Sequence, residues 1–212
     1  MSPKIPNRSR EFQLYAQGYG HVVGIDEVGR GAWAGPMVVR ACILKPKTRL
    51  DHIRDSKMLS LKQREQFYER LLKHCLCYGL GWVTAAEIDE IGMTKATILA
   101  TQRALSELSV QPHYALCDHM PLPRVSYPIE RMVRGDGKVT AIAAASIIAK
   151  VSRDRFMREQ ASLYAGYDFE RNVGYPSPKH LNALATLGPS TIHRKLFLRK
   201  FNLRAQDTAV VP

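Results

Sequence analysis

The chain has 212 residues, of which 45% are hydrophobic and 24% charged. These values fit one ordinary globular domain with a sizeable core and exclude extensive intrinsic disorder. The formal net charge is +12, and residues 131–204 hold 14 basic against 5 acidic residues. This imbalance predicts a surface that binds a polyanion, with a basic but merely soluble protein as the alternative.

Membrane insertion, secretion and a zinc-stabilised fold are all disfavoured. The longest apolar run, 141–149, is about half the length that a membrane span needs. No apolar stretch follows the first charged residues, as a secretory signal would require. The four cysteines lack the paired spacing of a zinc site and predict buried free thiols in a reducing compartment. We therefore expect a cytoplasmic protein without membrane association.

The first half of the chain predicts a strand hairpin followed by alternating helices and strands. Two apolar, β-branched stretches are joined by a glycine-rich turn, which favours antiparallel pairing. A serine cap and apolar residues at helical spacing then predict a helix. In chain order the elements are a loose or helical lead-in at 1–20, strands at 21–28 and 37–44, a helix at 60–74, a strand at 77–83, and two helices, one starting at Thr84 and one over 94–108.

The second half continues this alternation and ends in a basic, helical segment. The predicted elements are strands at 114–117 and 127–133, a long alanine-rich helix at 139–163 and a helix at 178–187. Alternating strands and helices around a mixed sheet define the α/β class. We divide the chain into a lead-in at 1–20, a catalytic domain at 21–165, and a helical C-terminal region with a basic tail at 166–212.

Four acidic residues stand out because the residues around them are apolar. Asp26 and Glu27 interrupt one apolar strand, Asp118 ends another, and Asp136 lies between two glycines before the alanine-rich helix. Uncompensated carboxylates beside a core are costly, and several together repel one another. A divalent cation such as Mg²⁺ relieves both effects, because it prefers carboxylate oxygens as ligands.

Each acid also has a simpler explanation. Asp136 can serve only as the cap of the following helix, and Asp118 can hydrogen-bond a loop at its strand end. Asp26 and Glu27 are neighbours on a strand and so point to opposite faces, unless the strand ends or bulges near them. The four together are more specific evidence than any one alone.

Several segments, in order along most of the chain, carry a resemblance to a known family. They are GIDEVGRGAWAGP at 24–36, DSKMLS at 55–60, GDGKVTAIAAASIIAKVSRDR at 135–155, GYPSPKH at 174–180 and GPSTIHRKLF at 188–197. In these segments the chain resembles prokaryotic ribonuclease HII, the type 2 ribonuclease H. The resemblance implies a ribonuclease H-like fold, a mixed β-sheet flanked by helices, with a small helical C-terminal region.

The resemblance also implies the catalytic, metal-binding acids, which correspond to Asp26, Glu27, Asp118 and Asp136. Two ions of Mg²⁺ or Mn²⁺ would activate a water molecule and stabilise the leaving 3′ oxygen. The products would carry 5′-phosphate and 3′-hydroxyl ends.

Some of these assignments have competitors. Asp118 is matched by its position at a strand end, and Asp55 and Asp154 are the rival acids, with an ion pair to Lys150 expected for Asp154. Three histidines are candidate general bases, although a surface or structural role is favoured for each: His119, His180 and His193.

Selectivity for RNA requires contact with a 2′-hydroxyl group. The resemblance implies that the backbone of Gly29, Arg30 and Gly31 approaches the ribose, since glycine leaves room for it. It further implies that Tyr175 packs against the sugar of the neighbouring deoxynucleotide. A plain turn and a packed loop aromatic are the alternatives.

Contacts to the phosphate backbone are expected from donors and positive charges within the matching segments. The candidates are Ser56, Lys57, Lys150 and Arg153, and five basic residues would extend this track: Arg194, Lys195, Arg199, Lys200 and Arg204. A solvated charged face is the alternative for the last five.

We therefore expect a monomeric endoribonuclease that acts on RNA paired with DNA. The resemblance implies that it acts on RNA/DNA hybrids and on DNA duplexes containing ribonucleotides, which it would nick on the 5′ side of the ribonucleotide. Two alternatives remain. Another nuclease of this fold, such as a DNA-cutting recombinase, would keep the acids but have no use for the glycine turn. A non-catalytic nucleic-acid-binding protein would bind through its basic half even with the acids neutralised.

Overall fold

The computed structural model describes residues 5–48, 50, 53 and 59–199. Its helices and strands, in chain order, are α1 Ser9–Ala16, β1 Val22–Val28, β2 Met37–Leu44, α2 Leu61–His74, β3 Cys75–Val83, α3 Ala85–Ser106, β4 Tyr114–Asp118, β5 Ile129–Met132, a 3₁₀ turn Gly135–Gly137, α4 Thr140–Leu163, α5 Phe169–Asn172 and α6 Pro178–Leu187. A further helical stretch covers 195–199. The chain is thus α/β, as predicted.

Five strands form one mixed sheet in the order β3-β2-β1-β4-β5. β1 and β2 pair antiparallel, as the glycine-rich turn predicts, with Asp26 opposite Arg40. β1 runs parallel to β4, with Ile25 beside Cys117, and β4 runs parallel to β5. Asp26 and Asp118 each follow one of these paired residues. The two acids therefore lie side by side at the end of the sheet where β1 and β4 finish.

Helices cover both faces of the sheet. α1, α2 and α4 pack on one face around the apolar residues of α4, and α3 packs on the other. The first ten residues of α4 are all buried. A Cβ atom on Gly24 of β1 would lie 2.2 Å from the carbonyl oxygen of Ala141, so only glycine permits this close approach of α4 to β1.

The C-terminal region has an apolar cluster that extends into the rest of the chain. Phe169, Val173 and Leu184 pack together with Ala34, from the turn after β1, and Met157, from α4. This cluster therefore joins the turn, the long helix and the last helices. The division of the chain at 165/166 stays a prediction.

Most predicted elements are confirmed, with instructive differences. α2 begins after Ser60, whose side chain forms the predicted cap together with Gln63. The two helices predicted beyond Thr84 run together as α3, with a kink at Gly92, where φ is 77°. β5 is shorter than the predicted strand, and all four cysteines are free and buried as expected.

The described part of the lead-in, residues 5–20, packs into the fold. Asn7 pairs with the backbone just before α4, donating to Lys138 O at 3.2 Å and accepting from Thr140 N at 3.1 Å. The buried Arg8 guanidinium donates to Glu11 and to the carbonyl of Thr48. The Asn7 bonds fix the start of α4, which has no side-chain cap of its own.

None of the helices in the described part of the chain combines the length and the apolar composition that crossing a bilayer requires.

Candidate active site

A pocket of about 410 Å³ opens where β1 and β4 end, between the start of α4 and the C-terminal region. It collects most of the residues that the sequence singles out. Its lining consists of Asp26, Glu27, Val28, Gly29, Arg30, Gly31, Asp118, Asp136, Ser146, Lys150 and Tyr175.

Asp26 and Glu27 share this pocket even though they are neighbours on β1. The strand ends at Val28 and the backbone turns at Gly29, where φ is 83°, which resolves the objection that strand neighbours point apart. Burial, followed by repulsion from Glu27, raises the pKa of Asp26 well above its ordinary value, and a hydrogen bond with Ser146 opposes this. Burial also raises the pKa of Glu27, against the influence of Arg30, whose guanidinium lies 3.8 Å from its carboxylate.

Asp118 and Asp136 are held by backbone amides. Asp118 Oδ1 accepts from His119 N at 2.7 Å and from Gly135 N at 3.4 Å. Asp136, in the 3₁₀ turn, accepts from Gly137 N at 3.0 Å and is only 5% exposed. It does not cap α4, because Val139 occupies the cap position and makes no side-chain cap bond. The bond from Gly135 to Asp118 ties the two acids together.

The four carboxylates fit a divalent cation by their chemistry. Asp118 and Asp136 both add to the repulsion that raises the pKa of Asp26, so a positive charge among them would relieve an existing strain. Within the described ranges, no three His, Cys, Asp or Glu side chains already converge into a ready-made metal site.

The glycines of the turn differ in what surrounds them. A Cβ on Gly29 would lie 2.3 Å from Arg153 Nε and 2.8 Å from Pro36 O, so this glycine is required by packing as well as by its positive φ. A Cβ on Gly31 would meet no atom within 4 Å. The fold leaves Gly31 open to the pocket.

Tyr175 lies against this turn from the C-terminal side. Its hydroxyl accepts a hydrogen bond from Gly29 N at 3.2 Å. Lys150 Nζ lies 5.6 Å from the centre of its ring, and the guanidinium carbon of Arg153 lies 5.3 Å from it. The phenol is thus hydrogen-bonded directly to the turn.

The prediction that Arg153 contacts phosphate is wrong. Its guanidinium is fully buried and donates to the carbonyls of Pro36 and Val173, each at 2.8 Å, and of Ala34 at 3.1 Å. Buried donors already satisfied by carbonyls are not available to a ligand in solvent. Arg194, predicted in the basic track, is likewise buried and donates to Gly35 O at 3.0 Å and to Arg30 O at 3.2 Å.

The other predicted contacts divide into two groups. Lys150 lines the pocket and forms the expected ion pair with Asp154, at 2.8 Å. His119 is exposed beside Asp118, whereas His180 and His193 are buried, which agrees with structural roles. Ser56 and Lys57, with Asp55, Lys200 and Arg204, lie outside the described residues.

Ser146 is the polar residue of the pocket lining that sequence reasoning missed. It lines the pocket and hydrogen-bonds Asp26, and burial leaves it 8% exposed. It is the polar interruption of the apolar run 141–149. A lone hydroxyl in a buried helix needs a partner, and that signal could have linked it to a nearby acid.

Together, the sheet order and the pocket define an α/β protein of the ribonuclease H-like fold with a carboxylate-lined site at the end of its central strands. The family model described as Ribonuclease HII matches residues 23–200. A relative named Ribonuclease HII, from Thermus thermophilus, is 47% identical over 176 residues, covering 83% of this chain and 85% of its own length. The chain belongs to the ribonuclease HII family.

Solved structures show the same fold. The crystal structure of the ribonuclease H2 from Pyrococcus horikoshii OT3 superposes with a TM-score of 0.74 at 28% identity, covering 87% of this chain and 98% of that chain. A more distant structure, Bst-RNase HIII in complex with Mn²⁺, has a TM-score of 0.60 at 17% identity and covers 82% of this chain and 66% of that chain. The protein is thus a nuclease of the ribonuclease H class, the class that hydrolyses RNA paired with DNA.

Proposed function

We propose that the protein is a metal-dependent endoribonuclease that cuts the RNA strand of RNA/DNA hybrids and nicks duplex DNA on the 5′ side of an embedded ribonucleotide. The observation that carries this proposal is the pocket in which four carboxylates face an open glycine turn and an aromatic ring. The carboxylates supply the chemistry, and the turn and ring supply recognition of the sugar.

Asp26, Glu27, Asp118 and Asp136 would hold Mg²⁺ or Mn²⁺. When bound, the two divalent ions would supply a deprotonated water and neutralise charge at the phosphodiester. The residues themselves prepare this site: Ser146 orients Asp26, and the amides of His119 and Gly135 orient Asp118. Hydrolysis would leave 5′-phosphate and 3′-hydroxyl ends.

The turn at residues 29–31 would read the ribose. The open side of Gly31 allows backbone atoms to come within hydrogen-bonding distance of a 2′-hydroxyl, the group that distinguishes RNA from DNA. Tyr175, held beside Gly29, would pack against the sugar of the next deoxynucleotide. This pairing favours a junction at which RNA is followed by DNA.

Lys150 and Arg30 are the cations among the residues that line the pocket, and we assign them to the phosphate backbone. Ser56 and Lys57 remain proposed contacts of the same kind. We further propose that the protein acts as a monomer in the cytoplasm, and that nicking opens the removal of ribonucleotides from genomic DNA.

The test is cleavage of an end-labelled DNA duplex that contains one ribonucleotide, with Mg²⁺, Mn²⁺ or EDTA. We expect metal-dependent nicking 5′ of the ribonucleotide, abolished by Asp136→Asn. The matched control is Glu159→Gln, which neutralises an exposed acid on α4 and should leave nicking intact.

The same experiment separates the alternatives. Cutting of an all-DNA duplex would favour a DNA-cutting nuclease of this fold. Salt-sensitive duplex binding without any product, unchanged by Asp136→Asn, would favour a non-catalytic binding protein.

A further inference from the structure

Two buried histidines, which the proposed reaction does not use, face one another in the C-terminal region. His180 lies in the first turn of α6 and His193 follows that helix, and their Nε2 atoms are 2.9 Å apart. Both rings are almost fully buried, at 0% and 3% exposure. They pack against the rings of Tyr167 and Phe169.

The hydrogen bonds around these rings determine where each proton lies. Ser190 N donates to His193 Nδ1 at 2.9 Å, so this nitrogen is an acceptor and the ring carries its proton on Nε2. That proton points to His180 Nε2, which must accept it. His180 Nδ1 then carries a proton and donates to the carbonyl of Tyr175 at 2.9 Å.

The result is a directional chain from Ser190 through two neutral histidines to the backbone of Tyr175, in which all four ring nitrogens have partners. A second proton on His180 would place two N–H groups head to head. Burial lowers the pKa of both histidines, which favours the neutral pair. Tyr167, the titratable side chain that contacts both rings, donates its hydroxyl to Gly188 O and introduces no charge.

Each end of this chain is anchored to an element of the pocket. His193 forms a β-bridge with Ala34, and Arg194 N donates to Trp33 O at 2.8 Å. One end is therefore attached to the backbone that follows the 29–31 turn. The other end holds the backbone of Tyr175, whose hydroxyl reaches Gly29. The histidine pair therefore closes a ring of contacts around the edge of the pocket.

We propose that His180 and His193 are positioning residues that hold Tyr175 at a fixed distance from the glycine turn and thereby set the preference for an RNA-to-DNA junction. The inference rests on the proposed function, because it concerns the residue assigned to the neighbouring deoxynucleotide. Neither histidine lines the pocket, so neither acts as a catalytic residue.

Three variants test the positioning role. His180→Phe removes both ring hydrogen bonds, whereas His180→Asn keeps an amide donor near the Nδ1 position and so retains the bond to Tyr175. Phe169→Leu disturbs the same core without removing a bond of the histidine chain. The measurement is the ratio of kcat/KM on a duplex with one ribonucleotide to kcat/KM on a uniform RNA/DNA hybrid, beside the Tm of each variant.

We expect His180→Phe to lower this ratio about tenfold, mainly through KM on the junction substrate, because a positioning group has lost its fixed geometry. His180→Asn should restore most of the ratio. Phe169→Leu should lower Tm and leave the ratio unchanged. An unchanged ratio in His180→Phe, or an equal change in Phe169→Leu, would overturn the proposal.

Nitrogen NMR of the histidine rings tests the chain independently of activity. We expect a proton on Nδ1 of His180 and on Nε2 of His193, with both rings neutral at pH 6. Any other tautomer pair, or titration of either ring near the ordinary value, would refute the chain. Wild-type protein that cuts neither substrate would contradict the proposed function, while the tautomers would still decide the histidine chain.

Discussion

The two glycines of the turn should respond to the same substitution in opposite ways. Gly31→Ala adds a methyl group that meets no protein atom within 4 Å, and Gly31 has no positive φ. The free energy of unfolding should therefore change by less than about 0.5 kcal/mol, as for an exposed substitution. If the backbone of this turn contacts the ribose, the same methyl group occupies the space that the sugar requires.

Gly29→Ala is the matched comparison, because it changes the fold itself. Its Cβ would lie 2.3 Å from Arg153 Nε, and φ is 83°. A side chain in the left-handed region costs about 1–2 kcal/mol, and forcing an atom into a packed site adds about 1–3 kcal/mol. We expect a loss of stability of about 2–5 kcal/mol, hence a clearly lower Tm.

The assay combines thermal unfolding with kcat/KM on the duplex that contains one ribonucleotide. For Gly31→Ala we expect an unchanged Tm and a loss in kcat/KM of about a hundredfold, the size expected when a reacting group is displaced by about 1 Å. Wild-type kcat/KM in a well-folded Gly31→Ala protein would refute the assignment of ribose recognition to this turn. A Tm loss in Gly31→Ala equal to that in Gly29→Ala would refute the structural distinction between the two positions.

Four further predictions concern buried ionisable groups. Asp26→Asn removes a buried carboxylate repelled by its neighbours and should raise the free energy of unfolding in EDTA by about 1–2 kcal/mol. The Tm increase that we expect Mg²⁺ to give the wild type should be absent in this variant. A lower Tm of the variant in EDTA would contradict the expected gain. Arg153→Met leaves three buried carbonyls without their donor and should lower the free energy of unfolding in urea by at least about 3 kcal/mol. Weaker duplex binding with unchanged stability would instead support a contact between Arg153 and phosphate. Burial and His180 lower the pKa of His193 to about 4, so the unfolded chain binds more protons than the folded one between pH 4 and the ordinary pKa of about 6.5. The free energy of unfolding should therefore fall by on the order of 2–3 kcal/mol as pH drops through this window. His193→Gln should make the free energy of unfolding depend less on pH there. Glu11 acts in the opposite direction, because burial raises its pKa to about 7 and the folded state binds the extra proton. Glu11→Gln should therefore increase the stability that is lost on acidification. Parallel curves of unfolding free energy against pH for the wild type, His193→Gln and Glu11→Gln would contradict both assignments.

Local sequence patterns were enough to predict most of the helices and strands. The cap at Ser60, the strand hairpin and the division into two helical stretches beyond Thr84 depend on neighbours in sequence, so their residues predict them directly. The shortened β5 is different, because its length depends on how far its backbone can pair with β4. Edge pairing is a tertiary property, and apolar composition alone overestimates it.

The site could be predicted for residues whose chemistry conflicts with their surroundings. Asp26 and Asp136 are acids beside apolar segments, and that conflict is visible in the sequence. Arg153 lies in an equally suggestive segment, yet its guanidinium donates to carbonyls from two distant parts of the chain, the segment at 34–36 and Val173. Whether an arginine faces solvent or the interior depends on contacts far apart in sequence, so its type alone does not decide.

The buried guanidiniums also show that part of the positive charge of the C-terminal half is not on the surface. Arg153 and Arg194 count among the basic residues of 131–204, but they lie inside the protein and bind backbone carbonyls at 30, 34, 35, 36 and 173. They hold the glycine turn between α4 and the C-terminal region, beside Tyr175. Part of the charge that predicts a polyanion-binding surface is therefore buried, where it stabilises the backbone next to the glycine turn. If the turn at residues 29–31 reads the ribose as proposed, substrate binding should depend on salt through the cations that line the pocket, Lys150 and Arg30. Ribose selectivity should then depend on the buried pair and stay unchanged as salt is raised.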